Sequence, residues 1–83
     1  MKTCFITFRS VTFGQRGQRL LENAGIPCSL QRTPKWMEQQ GCGYCLRIRA
    51  ADCPKGIQLL QSYQVPFQKA YRQEMTGMVE VAL

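Results

Sequence analysis

The chain contains no histidine, only five acidic residues and a single tryptophan among its 83 positions. Without imidazole, a zinc centre would have to be built from about four cysteine thiolates. The five cysteines supply one C-x-x-C pair, Cys42 and Cys45, while Cys4, Cys28 and Cys53 stand isolated. A zinc site within one chain is therefore not expected, and only a knuckle shared between two chains stays open. The shortage of acid leaves 11 Lys and Arg against 5 Asp and Glu, a formal net charge of +6. Such a balance favours an anionic partner or an acidic protein surface, and a merely solvated basic surface fits it equally well.

Long apolar runs are also missing. No stretch approaches the roughly 20 residues that a membrane span requires, and the opening "MKTCFITF" is cut short by Arg9, too early for a signal peptide. Five is an odd number of cysteines, so in the absence of an export signal reduced thiols are expected rather than a disulfide framework, and with them a cytoplasmic protein. The length allows one small domain that buries only about 60% of its unfolded surface.

What is present is an ordered series of elements. "TCFITF", Thr3 to Phe8, alternates threonine with apolar residues and suits a half-buried strand. Phe13, Gly17, Leu20, Leu21 and Ala24 then recur at helical spacing, with Ser10 or Thr12 to cap the start and Gly25 to end the helix. Residues 26–32, with Ile26, Cys28 and Leu30 on one face, and residues 44–50, with Tyr44, Leu46, Ile48 and Ala50 on one face, read as the second and third strands. Asp52 can cap a second helix that tolerates Pro54 in its first turn and carries Ile57 and Leu60, and residues 66–72 form a fourth strand.

The resulting β-α-β-β-α-β order predicts an α+β, ferredoxin-like split βαβ fold: a four-stranded antiparallel sheet with two helices on one face. An internal echo supports two such halves, since "RLLENAGIP" at 19–27 and "QLLQSYQVP" at 58–66 share a Leu-Leu pair at the same distance from an apolar-Pro step. Residues 1–73 make the domain; residues 74–83 are an added strand or a loose end. Side chains alternate along a strand, so turning Leu46 and Ile48 toward the helices points Cys45, Arg47 and Arg49 at the opposite face, predicted to be open and basic. Phe13, Leu20, Leu21, Ile57, Leu60 and Phe67 are the core candidates.

Chemistry gathers on the long loop at 33–43, which ends in "GCG". Gly41 and Gly43 remove Cβ bulk on both sides of Cys42, which lets backbone N–H groups or a partner approach the sulfur. Lys35, Arg47 and Arg49 are the expected sources of positive potential, and cationic surroundings lower a thiol pKa and raise the thiolate fraction. Cys42 is thus read as the reactive thiol, with Cys4 and Cys28 as packing residues. Cys53, at the start of the second helix, is a weaker reactive candidate. Trp36 and Met37 are expected to pack on the domain, with shielding of the thiol or a partner contact as the alternatives.

"ITF", "RLLENAGIP", "TP" and above all "CGYCLR", with Cys42, Gly43 and Arg47, resemble the selenium/sulfur carrier protein-like family, a small domain of unknown function with a Cys-Gly motif. The resemblance runs roughly from Cys4 to Arg72. It implies a carrier with a reactive thiol rather than a turnover enzyme, needing no cofactor and no metal. Cys42 would hold a persulfide or perselenide received from a donor protein, such as a cysteine desulfurase-type enzyme, and pass it to an acceptor protein. Two features depart from the family: Cys45 stands where a small residue is usual, and Trp36 with "MEQQ" makes an unusual loop. Cys45 reads equally as a resolving thiol and as a strand residue.

A thioredoxin-type oxidoreductase is disfavoured because its C-x-x-C opens a helix, whereas "CGYCLRIRA" runs into a strand. The alternative from another class is an RRM-like module binding single-stranded RNA, which shares the element order and would stack bases on Tyr44 and Phe5. Strand parity turns Tyr44 toward the helices, away from such a platform.

Overall fold

The computed structural model describes residues 3–32, 43–74 and 77–81. In chain order it contains β1 (Thr3–Phe8), α1 (Val11–Asn23), β2 (Cys28–Arg32), β3 (Tyr44–Arg49), a 3-10 turn (Ala50–Asp52), α2 (Cys53–Ser62), β4 (Ala70–Glu74) and β5 (Gly77–Glu80). The strands form one sheet in the order β2-β3-β1-β4-β5, and every neighbouring pair is antiparallel. The fold is α+β as expected, but the predicted four-stranded ferredoxin-like sheet is corrected to five strands. The difference lies in the residues after Glu74: Arg72 pairs with Val79 and Gln73 with Met78, so β5 extends the sheet beyond β4.

Both helices pack on one face through a core of Cys4, Ile6, Phe8, Leu21, Ile26, Leu46, Ile48, Cys53, Ile57, Leu60, Val65 and Ala70. Alternation selects these strand residues, because every second side chain of β1 and β3 falls on the helix side. Phe13, Leu20 and Phe67 are partly buried against that core rather than inside it. α1 seats closely because Gly17 leaves room for its neighbours. A Cβ there would lie 3.0 Å from Phe8 Cζ, 3.2 Å from Leu60 Cδ2 and 3.3 Å from Leu46 Cδ1.

The expectation of uniformly reduced thiols is also corrected, since Cys4 and Cys53 form a disulfide. Cys4 lies on the helix side of β1, and Cys53 is the first residue of α2, which covers that side. Their Cα atoms are 6.0 Å apart, within bridging range. Cys53 is consequently not a thiolate candidate, and the cytoplasmic expectation loses its cysteine argument. Among the described residues no helix is long and apolar enough to cross a membrane.

The sequence echo corresponds to a repeated helix stop. After α1, Ile26 N–H donates to Leu21 O at 2.9 Å and Gly25 N–H to Glu22 O at 3.0 Å. After α2, Val65 N–H donates to Leu60 O at 2.9 Å and Gln64 N–H to Gln61 O at 3.2 Å. Each is a Schellman cap whose turning residue is left-handed, with φ 81° at Gly25 and 56° at Gln64. Glycine adopts that conformation without a Cβ penalty, whereas glutamine does not. Gln64→Gly is therefore expected to stabilise the fold by about 1 kcal/mol, read as a higher thermal midpoint. At the other end of α1, Ser10 is the N-cap, its hydroxyl accepting from Phe13 N–H at 3.3 Å.

The same caps explain why two strands start later than the sequence suggests. The N–H of Ile26 is spent on the helix stop, and β2 begins at Cys28. Before β4, Thr7 faces two residues at once: it accepts from Gln68 N–H through its carbonyl and donates its own N–H to Lys69 O, each at 2.8 Å. The N–H of Lys69 is taken up by the Thr7 hydroxyl at 3.0 Å. This bulge-like step postpones regular pairing to Ala70 rather than Pro66.

Candidate functional site

Gly43 leads directly into β3, and the sequence-predicted site can be laid out from that point. Cys42, Gly41 and Lys35 lie outside the described residues, as do Trp36 and Met37. Of the predicted site residues, the structure therefore places Gly43, Cys45, Arg47 and Arg49.

Cys45, Arg47 and Arg49 share the sheet face away from the helices, as parity requires. That face is not the open basic surface expected. Cys45 is 0% exposed and Phe5 9%, and the two form a second apolar cluster with Tyr71 packed against them. Thr3 and Thr7, on the same face, are also buried. The register explains the grouping: Phe5 stands opposite Arg47 on one side and Tyr71 on the other, while Cys45 stands opposite Thr7. Apolar residues at the middle of β1, β3 and β4 therefore meet, with the exposed Arg47 and Arg49 at their flank and Glu80, ion-paired with Lys69, across from Tyr71 on the other side.

Arg49 already has a use. Its Nε donates to Asp52 Oδ2 at 2.9 Å, the two side chains being 57% and 21% exposed. Asp52 stands at the N-cap position of α2 but makes no side-chain cap hydrogen bond, so the capping role expected of it is replaced by this ion pair. Arg49 also ends β3 at the far side from Gly43. At a strand rise of about 3.3 Å, Arg47 and Arg49 lie roughly 13 and 20 Å along the chain from Gly43.

Two arginines that the sequence reading did not select are much nearer. Tyr44, next to Gly43, pairs with Phe8 of β1 and with Arg32 of β2. Arg9 directly follows Phe8, so the antiparallel count brings it to Gly43 across the end of the ladder. Both Arg9 and Arg32 are exposed. Linear spacing could not have revealed this, because the residues come from three strands. Only a fixed register would have identified them.

Cys28 shows what an unreactive thiol looks like in this chain. It sits on β2 against the core, and its Sγ donates to Gln18 O at 3.5 Å. Burial, helped by the charge of Glu22, pushes its pKa from 9.0 up to about 11. Since the folded pKa lies above the unfolded one, the folded state holds the proton more tightly. The resulting stabilisation is present below about pH 9 and is lost as pH rises through 11. Alkylation of Cys28 in the folded protein is therefore expected to be slow at neutral pH and to accelerate only as pH approaches 11, which peptide mapping across a pH series checks.

The aromatic platform required for RNA stacking is not assembled in the expected form. Phe5 is buried, and Tyr44 occupies the same face as its partner Phe8, which belongs to the core beneath the helices. Comparison with known proteins gives one match: a family model described as "Putative Se/S carrier protein-like" aligns with residues 3–72. Searches of curated proteins and of solved structures found no match.

Proposed function

The chain belongs to the Putative Se/S carrier protein-like family, and from that premise we propose that it carries sulfur, or selenium in its place, as a persulfide or perselenide on Cys42. The observation that supports this reading is that the family match runs through the Cys42-Gly43 step leading into β3. In the loading step the Cys42 thiolate attacks the outer sulfur of a donor protein's cysteine persulfide. A new S–S bond forms at Cys42, the donor S–S bond breaks, and the donor cysteine leaves as a thiolate. The exchange moves one sulfur atom without net oxidation, in the manner of thiol–disulfide exchange. Delivery repeats it in reverse: an acceptor nucleophile takes the outer sulfur, and the Cys42 thiolate is regenerated. The chain's own contribution is the thiolate and its surroundings, and donor and acceptor are separate proteins.

Cys45 is assigned the role of resolving thiol within the same proposal. Its thiolate would attack the inner sulfur of the loaded Cys42, expel hydrosulfide and leave a Cys42–Cys45 disulfide, which a two-electron thiol reductant must reopen before reloading. The burial of Cys45 makes this a slow side path that limits the lifetime of the adduct. Intact-mass spectrometry after exposure to a small-molecule persulfide tests the scheme. Wild type should gain one sulfur, and Cys45→Ser should load as well but hold the adduct several-fold longer. An unchanged lifetime would return Cys45 to the role of a packing residue beside Phe5 and Tyr71.

A further inference from the structure

We infer that the helix pair is the docking face for the donor protein, and that the groove between α1 and α2 receives an acidic amphipathic helix of that protein. The inference rests on the carrier reading for the identity of the partner, while the shape and charge of the face come from the helices themselves. Gly17 and Gly56 set the groove. A Cβ on Gly17 would lie 3.2 Å from Leu60 Cδ2, and one on Gly56 would lie 3.6 Å from Leu21 Cδ1. Residue 17 is thus level with residue 60 and residue 21 with residue 56, which makes the helices antiparallel. Helical spacing puts Phe13 and Leu20 beside Gly17, and Leu59 and Tyr63 beside Gly56. Phe13, Leu20 and Leu59 are only partly buried, and Tyr63, at the C-cap of α2, is 66% exposed. An apolar strip therefore runs along the seam.

Cations border this strip. Thr12, Gln15, Arg16, Arg19, Leu20 and Asn23 line one groove of about 390 Å³ along α1, with Arg16 one helical turn from Leu20. Arg16, Arg19 and Lys55 are the cations of the two helices, all exposed, and Glu22 is their only acid. The ion pairs among the described residues are Arg49–Asp52 and Lys69–Glu80, so Arg16 and Arg19 are left for a partner. An apolar strip with a cationic border selects a helix that has one apolar stripe and carboxylates beside it, laid in the groove of two others. Tyrosine and arginine are also the side chains that most often carry interface energy. The face lies at the right end of the molecule for transfer. Phe8, the last residue of β1, pairs with Tyr44, so α1 starts at the Gly43 end of the sheet, and antiparallel packing brings Tyr63 to the same end. A donor held at Arg16 and Tyr63 is held where β3 begins.

The test uses the full chain and measures the rate at which Cys42 gains sulfur, mapped by mass, from two donors. One is a cysteine desulfurase-type enzyme carrying a cysteine persulfide, and the other is a small-molecule persulfide that needs no docking. Exposed charge of one sign raises the rate of encounter with an oppositely charged partner by about tenfold or more. Arg16→Gln with Arg19→Gln should therefore load about tenfold more slowly from the enzyme at low salt, and added salt should shrink the difference. Arg16→Lys with Arg19→Lys keeps the charge and should restore most of the rate. Tyr63→Ala removes the exposed anchor and should slow loading from the enzyme about fivefold, with little dependence on salt. With the small-molecule persulfide all of these variants should stay within about twofold of wild type, which also reports that they are folded. Arg47→Gln, on the opposite sheet face, should stay within about twofold with both donors.

If Cys42 loads from the small-molecule persulfide but the enzyme transfers nothing, the inference is wrong and the carrier reading is untouched. The same holds if the enzyme loads the Arg16 and Arg19 variant or Tyr63→Ala at the wild-type rate. A loss in Arg47→Gln in place of the helix variants would overturn it likewise, moving the dock to the sheet. Binding of a labelled single-stranded RNA that is abolished by Arg16→Gln with Arg19→Gln would make the face a nucleic-acid surface and overturn the protein dock. If Cys42 gains no sulfur from either donor, the carrier reading itself fails, and the assignment of this face to a donor falls with it.

Discussion

Phe8→Ala is expected to cost about 3–5 kcal/mol, the range for truncating a fully buried phenylalanine. Phe8 is completely buried at the end of β1, and its ring tip is the closest neighbour of Gly17 on α1. The ring fills the space that a helical glycine leaves open, and Leu46 and Leu60 approach the same point from β3 and α2. Removing it takes away contacts to both helices and the sheet together, and Gly17 has no side chain with which to refill the gap. Against a total stability of about 5–15 kcal/mol for a domain, a loss of this size lowers the thermal midpoint by more than about 12 °C. Thermal unfolding followed by circular dichroism measures it. A loss below about 1 kcal/mol would mean that α1 does not close over Phe8, and the description of the core would have to be revised.

The second large effect concerns chemistry rather than stability. Cys42→Ser is expected to lower the rate of sulfur loading by more than about a hundredfold, equivalent to roughly 2.7 kcal/mol of barrier, because a serine hydroxyl supplies almost no anion at neutral pH and the thiolate is the nucleophile. The other cysteines cannot take over easily. Cys4 and Cys53 are joined to each other, Cys28 holds its proton up to about pH 11, and Cys45 is buried in the Phe5 cluster. The thermal midpoint of the variant, measured alongside, separates lost chemistry from lost folding. Loading of Cys42→Ser at the wild-type rate would move the proposed activity to another residue.

The sequence revealed the elements more clearly than their edges. Alternation in "TCFITF" and "YCLRIR" placed β1 and β3, and the shared Leu-Leu-to-Pro pattern pointed to two similar halves, whose helix stops turn out to carry matching hydrogen bonds. What it did not reveal depends on partners distant along the chain. Regular pairing of β4 waits for Ala70 because Thr7, some sixty residues earlier, engages both Gln68 and Lys69. The disulfide depends on α2 bringing Cys53 over Cys4, which no spacing rule discloses. The basic surface was misjudged for a related reason. Parity correctly gave the side of Arg47 and Arg49, but whether that side is bare depends on Phe5 arriving opposite Arg47 and Tyr71 arriving on the far side of Phe5. Arg9 and Arg32 went unselected because they become neighbours of Gly43 only once three strands are in register.

The central claim, that Cys42 carries the transferred atom, is tested most directly by locating that atom. The folded protein is incubated with limiting small-molecule persulfide near neutral pH, free thiols are blocked, and the digested chain is mapped for the added sulfur. The expected result is one added sulfur, confined to the peptide containing Cys42 and removable by a thiol reductant. Added sulfur found chiefly on Cys28 or Cys45, or spread over the accessible thiols without preference, would contradict the account.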